Sequence, residues 1–328
     1  MKYLVIDVAA EHGGALSILK QFVEKFKNDT ENEYIVYVSN LDFEDTKNVK
    51  FVKTPWVKKS KLHRIYFDSV FVKKLIKKHS PDRLFSLQNK GFKTRKIKQD
   101  VYFHNALFIC EKRFSFKESR TLWLYQNVIS RMTKKSLKYA DKVFVQAEWI
   151  KNGLANKWNV AENKIFVDRP DVNPIFKEPA ENAVQNPKTL FYPASFTSYK
   201  NHDVLIKACA ELWEEKGKEL FSLILTGKED SFPSHLKTII ENKNYPISFV
   251  GALSAEKMKE TYEKSILVFP SYIETVGLPL VEARSLGRPI IAADCEYAHE
   301  SVGEYDKVSY FGPFDGELLK EKIKNKLS

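Results

Sequence analysis

Short apolar runs alternate with amphipathic stretches along most of the chain. In the first half, "YLVIDV", "YIVYVS", "RLFSLQ", "DVYFHNALF" and "KVFVQA" read as strands. Between them lie the helical patterns "ALSILKQFVEKFKN", "RIYFDSVFVKKLIKKH" and "SRTLWLYQNVISRMTKKSLKYA". In the second of these, Ile65, Tyr66, Phe71, Leu75 and Ile76 recur at helical spacing. The alternation breaks at residues 168–188, "DRPDVNPIFKEPAENAVQNPK", where four prolines with several Asn and Asp read as a linker. It then restarts. "TLFYPAS", "FSLILTG", "ISFVGA", "ILVFPS" and "PIIAAD" read as strands, separated by the helices "NHDVLIKACAELWEEK", "PSHLKTIIENK", "SAEKMKETYEKS" and "PLVEARSLG". Ser254 and Lys257 fall near the start of the third helix.

Strand–helix alternation of this kind argues for parallel sheets covered by helices, an α/β class. Two such halves predict two Rossmann-like domains, residues 1–170 and 171–328, facing each other across a cleft at the carboxyl ends of their sheets. The length of 328 residues suits two domains, and the 43% hydrophobic content is enough for two cores. Cys110, Cys209 and Cys295 form no metal or redox spacing and read as reduced, buried thiols of a cytosolic protein. "MKYLVIDVAA" reads as a first buried strand and not as a signal peptide. No run reaches the roughly 18 apolar residues of a membrane span. The expected location is the cytoplasm, with attachment to the inner face of the cell membrane as a further expectation.

Charge changes this picture because it is concentrated. Residues 1–50 carry −3, residues 51–150 carry +17 and residues 151–328 carry −3, for a net +11. A field gathered on one segment attracts an anionic partner: nucleic acid, anionic lipid or a phosphate-bearing substrate. A lysine-rich solvated surface explains the same count without a partner.

Three stretches carry candidate chemistry. "AAEHGGALS" puts Gly13 and Gly14 at the mouth of a helix, where backbone can approach a ligand and negative charge is favoured. It does not spell G-x-G-x-x-G, so a dinucleotide fingerprint is missing, and a plain strand-to-helix turn accounts for it equally well. "FYPASFTSYKNHDVLIKA" places Lys200 just before a helix, where an ammonium can reach a phosphate. A lone loop lysine would be a surface residue. The third stretch, "PSYIETVGLPLVEARSLGRPII", lies in the same half. Pro279 suits the first helical position, with Gly277 in the turn before it. The amides of Val276, Gly277 and Leu278 then form an anion site at the positive end of a helix. Glu282 in the first turn can accept two ribose hydroxyls. Glu274, on the loop before, lies nearer the reacting sugar. Without a ligand, Glu282 is an ordinary helix-dipole carboxylate and Glu274 an exposed loop acid.

These blocks, together with "LILTGKED" and "ISFVGALSAEKMKETYEKSILVFPS", resemble the C-terminal half of the family 4 glycosyltransferases. Those are retaining, nucleotide-sugar-dependent enzymes of the GT-B fold. The likeness rests on a pair of glutamates with seven residues between them and an internal Gly-Leu-Pro. It covers residues 188–295 strongly and the first half weakly, through "HGGALSIL", "VYFHNALF" and "KVFVQAEWIKNGL". The resemblance implies that Glu282 holds the nucleotide ribose, Glu274 the donor sugar hydroxyls and Lys200 the departing diphosphate. Amides around Gly277 cradle the phosphates, and Val250 and Gly251 pass along the base. His104 is an active-site histidine, otherwise a core histidine at a strand end, and Gly14 belongs to the loop over the donor phosphate.

The chain departs from the family pattern in three places. Ser195 stands where many members have an arginine, five residues before the lysine. Diphosphate charge would then rest on Lys200, the helix end and Lys228. Asn105 follows His104 where an aspartate is frequent. Only 46 residues follow Glu282, and residues 316–327 are expected to replace a longer helix that crosses back to the first domain. No second carboxylate stands in the place of a glycosidase nucleophile. The implied reaction is therefore same-face transfer of a hexose without a metal or other cofactor. The donor is a UDP-sugar in preference to a GDP-sugar. The acceptor is a glycan or a polyprenyl-diphosphate-linked glycan in bacterial surface polysaccharide synthesis. The basic residues 51–150, interleaved with aromatics, suit an anionic membrane surface. No recognised nucleic-acid motif accompanies them, and no nucleic acid is expected. The alternatives are a GT-B nucleotide-sugar epimerase and a non-catalytic basic membrane- or nucleic-acid-binding homologue.

Overall fold

The computed structural model describes every residue except His12, Arg95, Pro179, Glu181, Asn182 and Ser328. His12 of the first turn, and Pro179, Glu181 and Asn182 of the expected linker, therefore lie outside the described residues. The chain forms two compact units, Met1–Arg169 and Pro170–Ser328.

The first unit runs β1 (Lys2–Asp7), α1 (Gly13–Asn28), β2 (Glu33–Val38), β3 (Val49–Lys53), α2 (Lys61–Tyr66), α3 (Val72–His79), β4 (Arg83–Ser86), β5 (Lys98–Phe103), α4 (Arg120–Leu124), α5 (Ser130–Leu137), β6 (Lys142–Val145), α6 (Glu148–Trp158) and β7 (Ile165–Val167). Its sheet has the order β3-β2-β1-β4-β5-β6-β7, with every pair parallel. β1 is central, so side chains on both of its faces are buried, as a parallel sheet covered twice requires. Val5 packs with Leu19, Phe22 and Val36 on one face. Leu4 and Ile6 pack with Phe67, Val72 and Leu75 on the other.

Two helical patterns read as continuous are each interrupted by a wide turn of π geometry, at Phe67–Phe71 and Tyr125–Ile129. A wide turn adds a residue and rotates everything after it. The residues that recur at helical spacing therefore do not share one face. Phe67, Val72 and Leu75 are buried, whereas Ile65 and Tyr66 are exposed. The expected strand through Phe108 stops at Phe103, because Asn105 accepts a hydrogen bond from the Leu107 amide at 3.1 Å and opens a short 3-10 turn.

The second unit runs β8 (Thr189–Tyr192), α7 (His202–Lys216), β9 (Ser222–Leu225), α8 (Ser234–Ile240), β10 (Ile247–Phe249), α9 (Ala255–Glu263), β11 (Ile266–Phe269), α10 (Leu278–Ser285), β12 (Ile290–Ala293), α11 (Glu296–Val302), β13 (Val308–Phe311) and α12 (Gly316–Leu327). Its parallel sheet has the order β10-β9-β8-β11-β12-β13. Ser254 caps α9, accepting from the Lys257 amide at 3.3 Å. Trp213 anchors the core, stacked on Phe221 and Tyr245, with its ring N–H donated to the Phe221 carbonyl at 3.0 Å. α12 packs on α7 of its own unit, burying Leu319, Ile323 and Leu327, and Lys320 pairs with Glu211 and Glu215. Apolar residues at every fourth position along the helix demand a local partner, and α7 supplies it. Cys110 and Cys209 are buried as expected, whereas Cys295 is only half-buried.

Candidate functional site

In the second sheet the strand order reverses between β8 and β11. Ligands of doubly wound sheets bind outside the carboxyl ends of the strands at such a reversal. The loop after β8 carries Lys200 and the loop after β11 carries Glu274. The two side chains form an ion pair, each less than one-fifth exposed. Hydrogen bonds fasten the loops. Tyr192 at the end of β8 donates its hydroxyl to the Lys200 carbonyl at 2.7 Å. The Ser271 hydroxyl and the Tyr272 amide both donate to the Tyr199 carbonyl, at 3.3 and 3.1 Å. Asn201, in the left-handed region at φ 59°, ends the first loop and donates its amide to the carbonyls of Pro270 and Pro313.

The second loop runs from Glu274 into α10. Gly277 is its pivot. Its φ is +73°, and a Cβ there would lie 3.0 Å from the Tyr297 ring. Only glycine meets both conditions without cost. The helix starts at Leu278, so Pro279 is its second residue and not its first. The first hydrogen bond of the turn joins the Leu280 amide to the Gly277 carbonyl at 2.9 Å. N–H groups ahead of it have no partner within the helix and suit an anion. α11 holds this loop from behind. Tyr297 donates to the Ser271 carbonyl at 2.5 Å, and Ser301 donates to the Val276 carbonyl.

Glu282 lies in the second turn of α10 and not, as expected, in the first, because the helix starts at Leu278; it is partly buried, with Oε2 accepting the Tyr262 hydroxyl at 2.8 Å. Burial pushes its carboxyl up, and the Tyr262 bond opposes the rise. A carboxylate offers about four lone-pair sites, so this bond leaves room for two further hydroxyls. Tyr262 is completely buried and its own hydroxyl is pushed well up by burial and by Glu282, so it stays a donor. Val250 follows β10, exposed, with its amide on the Leu225 carbonyl at 2.9 Å, and Gly251 turns the chain at φ +68°. Ser195 is exposed and bonds Thr197 at 3.1 Å. Lys228 is exposed at the end of the loop after β9. His202 opens α7, 3% exposed between the rings of Tyr192 and Phe196, and its Nε2 has no partner. Burial and then Lys200 push its pKa down to about 3, so it is neutral.

His104 and Gly14 belong to the first unit. His104 follows β5, with Nε2 3.0 Å from the Leu87 carbonyl and its backbone amide 2.6 Å from Asn89 Oδ1. Nε2 also lies 3.3 Å from the Asn89 side-chain nitrogen. Burial lowers the pKa of the ring and keeps it neutral. Gly14 stands in the first turn of α1, and nothing lies within 4 Å of where a Cβ would project.

The structure thus brings Lys200 and Glu274 into contact and sets Gly277 and Glu282 on one loop-and-helix segment with Glu274. Sequence reasoning missed the fastening residues Tyr192, Asn201, Tyr262, Tyr297 and Ser301. Only Asn201 left a local signal, an asparagine immediately before a helix. Tyr192 bonds a carbonyl eight residues on, and Tyr262, Tyr297 and Ser301 bond partners 20 to 26 residues away.

Residues 175–328 match the family described as "Glycosyl transferases group 1". The second unit is therefore related to that family. The O-antigen chain mannosyltransferase RfbU of Salmonella typhimurium is 26% identical over 200 residues, 59% of this chain and 53% of the relative. The GDP-Man:Man(3)GlcNAc(2)-PP-Dol alpha-1,2-mannosyltransferase of Mus musculus is 27% identical over 233 residues, 67% of this chain and 45% of the relative. The chain thus spans about half the length of these curated relatives. Among solved structures, WaaG, titled a glycosyltransferase involved in lipopolysaccharide biosynthesis, superposes with a TM-score of 0.71 at 16% identity, covering 100% of this chain and 90% of its own. At that identity the likeness establishes the fold: two parallel-sheet α/β domains of the GT-B type.

Proposed function

We propose that a chain whose second unit is related to the group 1 glycosyl transferases is itself a retaining glycosyltransferase. It would move a hexose from a nucleoside-diphosphate sugar to a glycan or lipid-linked glycan in surface polysaccharide synthesis. The observation that carries the reading is the Lys200–Glu274 pair at the strand-order reversal, beside the glycine-led start of α10. A diphosphate needs cations and N–H groups, and a sugar needs a carboxylate that accepts its hydroxyls. The two loops offer both.

In this reading Lys200 and the α10 amides take the diphosphate, and Glu282 takes the ribose. Val250 and Gly251 border the base. Glu274 leaves Lys200 to grip the donor sugar. The acceptor hydroxyl attacks the anomeric carbon on the face from which the diphosphate departs. The bond to the phosphate oxygen breaks, and that oxygen takes the acceptor proton. Charge stabilisation by Lys200 and the helix end is the main electrostatic contribution, and the scheme uses no metal. His104, held neutral by burial, would orient a sugar hydroxyl, and Gly14 would border the donor phosphate.

A thermal-shift panel of UDP, GDP and ADP tests the donor assignment, since a ligand that binds the native state raises the midpoint. UDP is expected to give the largest shift, followed by GDP. No shift with any nucleotide would overturn the assignment.

The acceptor side of the reading includes a membrane. No helix among the described residues is long and apolar enough to cross one. The first unit nonetheless exposes Leu62, Ile65, Tyr66 and Val70 around the α2 turn, and Leu124, Tyr125, Val128 and Met132 along α4 and α5. Trp56, Leu62, His63 and Tyr66 line an apolar groove. Lysines and arginines of the +17 segment flank both stripes. Apolar stripes framed by cations suit an anionic lipid surface.

A further inference from the structure

Three buried rings form a row at the carboxyl end of the second sheet: Tyr192 at the end of β8, Phe269 at the end of β11 and Tyr297 in α11. Tyr192 meets Phe269 edge-on, with 5.6 Å between ring centres and 89° between ring planes. Phe269 meets Tyr297 at 6.4 Å and 69°. Edge-to-face contacts of this kind are favourable and set the rings in fixed relative places. The two outer hydroxyls end on different loops. Tyr192 donates to the Lys200 carbonyl at 2.7 Å. Tyr297 donates at 2.5 Å to the carbonyl of Ser271, on the loop that carries Glu274. Burial, and after it the charge of Glu274, pushes both phenols well up, so both remain donors.

The two loops are held in different ways. On the first, Tyr192 grips the backbone of Lys200 itself. On the second, α11 grips both ends of the segment around Glu274. Tyr297 holds the Ser271 carbonyl and Ser301 holds the Val276 carbonyl. The Tyr297 ring also lies 3.0 Å from where a Cβ on Gly277 would stand, so ring and hydroxyl act on opposite ends of one loop. Glu274 stands between these holds and pairs with Lys200. A backbone anchored in this way places its side chain before a ligand arrives, and a shift of about 1 Å at a reacting group can cost on the order of a hundredfold in rate.

We propose that Tyr192 and Tyr297 are positioning residues with separable effects: Tyr192 places the ammonium that meets the donor diphosphate, and Tyr297 places the carboxylate that meets the transferred sugar. Phe269 between them keeps the two anchors at a fixed separation. The assignment rests on the glycosyltransferase reading and gives each anchor one half of donor recognition. A free nucleoside diphosphate carries the diphosphate without the sugar, so it reports on the first anchor alone. A nucleotide sugar reports on both.

The test uses the full chain with Tyr192→Phe, Tyr297→Phe and Ser301→Ala. Each substitution removes one hydroxyl and keeps the rest of the side chain. Calorimetry measures UDP beside UDP-glucose and UDP-galactose, and GDP beside GDP-mannose. The nucleotide sugar that the wild type binds most tightly, with its free nucleotide, is then carried through the variants. Tyr192→Phe is expected to weaken the free nucleotide by at least about fivefold and to keep the ratio of nucleotide-sugar to free-nucleotide affinity within about twofold. Tyr297→Phe is expected to bind the free nucleotide no more weakly than wild type and to lower that ratio by at least about fivefold. Ser301→Ala should follow Tyr297→Phe, and it keeps the Glu274 loop testable if the tyrosine variant does not fold. A merely structural role lowers the urea midpoint of both tyrosine variants alike, since each loses one hydrogen bond, and does not separate the two affinities. Equal weakening of both ligands in both variants, no change in either, or any other pattern overturns the assignment. Nucleotide binding without the expected split leaves the glycosyltransferase reading standing, whereas a wild type that binds no nucleotide strikes at that reading itself.

Discussion

Glu274 and Lys200 neutralise each other before any donor arrives. In the proposed function the donor must part them, so the carboxylate competes with the diphosphate for Lys200. Glu274→Gln removes that competitor and the grip on the sugar together. It is expected to tighten UDP binding several-fold and to lower transfer by on the order of a hundredfold. Calorimetry with UDP and a transfer assay check the two halves separately, and weaker UDP binding in the variant would refute the competition. At Gly277, alanine meets both the positive φ and the Tyr297 ring at 3.0 Å. Gly277→Ala should cost about 1–3 kcal/mol, read as a lower midpoint in urea unfolding. Asp7 supplies a pH test. Its folded pKa, about 7, is raised from the ordinary 3.8. The stability it contributes is present below the unfolded pKa and is lost as pH rises through about 7. Asp7→Asn should therefore flatten the loss of stability between pH 5 and pH 8 by on the order of 2 kcal/mol, measured as urea unfolding at both pH values. An unchanged slope would show that Asp7 titrates normally.

The regular elements were easier to read than the interruptions. β1 and β2 were legible because a central parallel strand is apolar on both faces, leaving unbroken runs such as "YLVIDV". β3, "VKFVK", sits at the sheet edge between lysines and left too short a run. The two wide turns had no signature, because an extra residue in a helical turn changes phase without changing composition. That phase shift decides which apolar residues face outward. Leu62→Glu and Met132→Glu replace side chains that are 76% and 59% exposed. Neither should move the thermal midpoint by more than about 0.5 kcal/mol in stability. Both should lower pelleting with anionic vesicles severalfold, and vesicle binding equal to wild type in the double variant would remove the apolar contribution. α12 supplies the opposite case. Removing residues 316–328 uncovers the α7 surface that buries Leu319, Ile323 and Leu327. Loss of three buried apolar side chains costs several kcal/mol, about 1.5–3 each, so the truncated chain should unfold at markedly lower urea.

For the molecule as a whole, order along the chain was enough for the class of fold. Alternating strand and helix patterns separated by a proline-rich break imply two parallel sheets, because a parallel connection requires a crossover and a helix supplies it. The same local logic marked Lys200, Glu274, Gly277 and Glu282, since turns and helix starts are written in neighbouring residues. Tertiary structure alone decided that Lys200 meets Glu274, that Tyr192, Tyr297 and Ser301 fasten their loops, and that α12 packs on α7. It also decided that Arg64 bridges Asp68 and Gln88. Those facts join residues from different strands and helices, and such contacts are set by sheet order and helix phase, which no local pattern encodes.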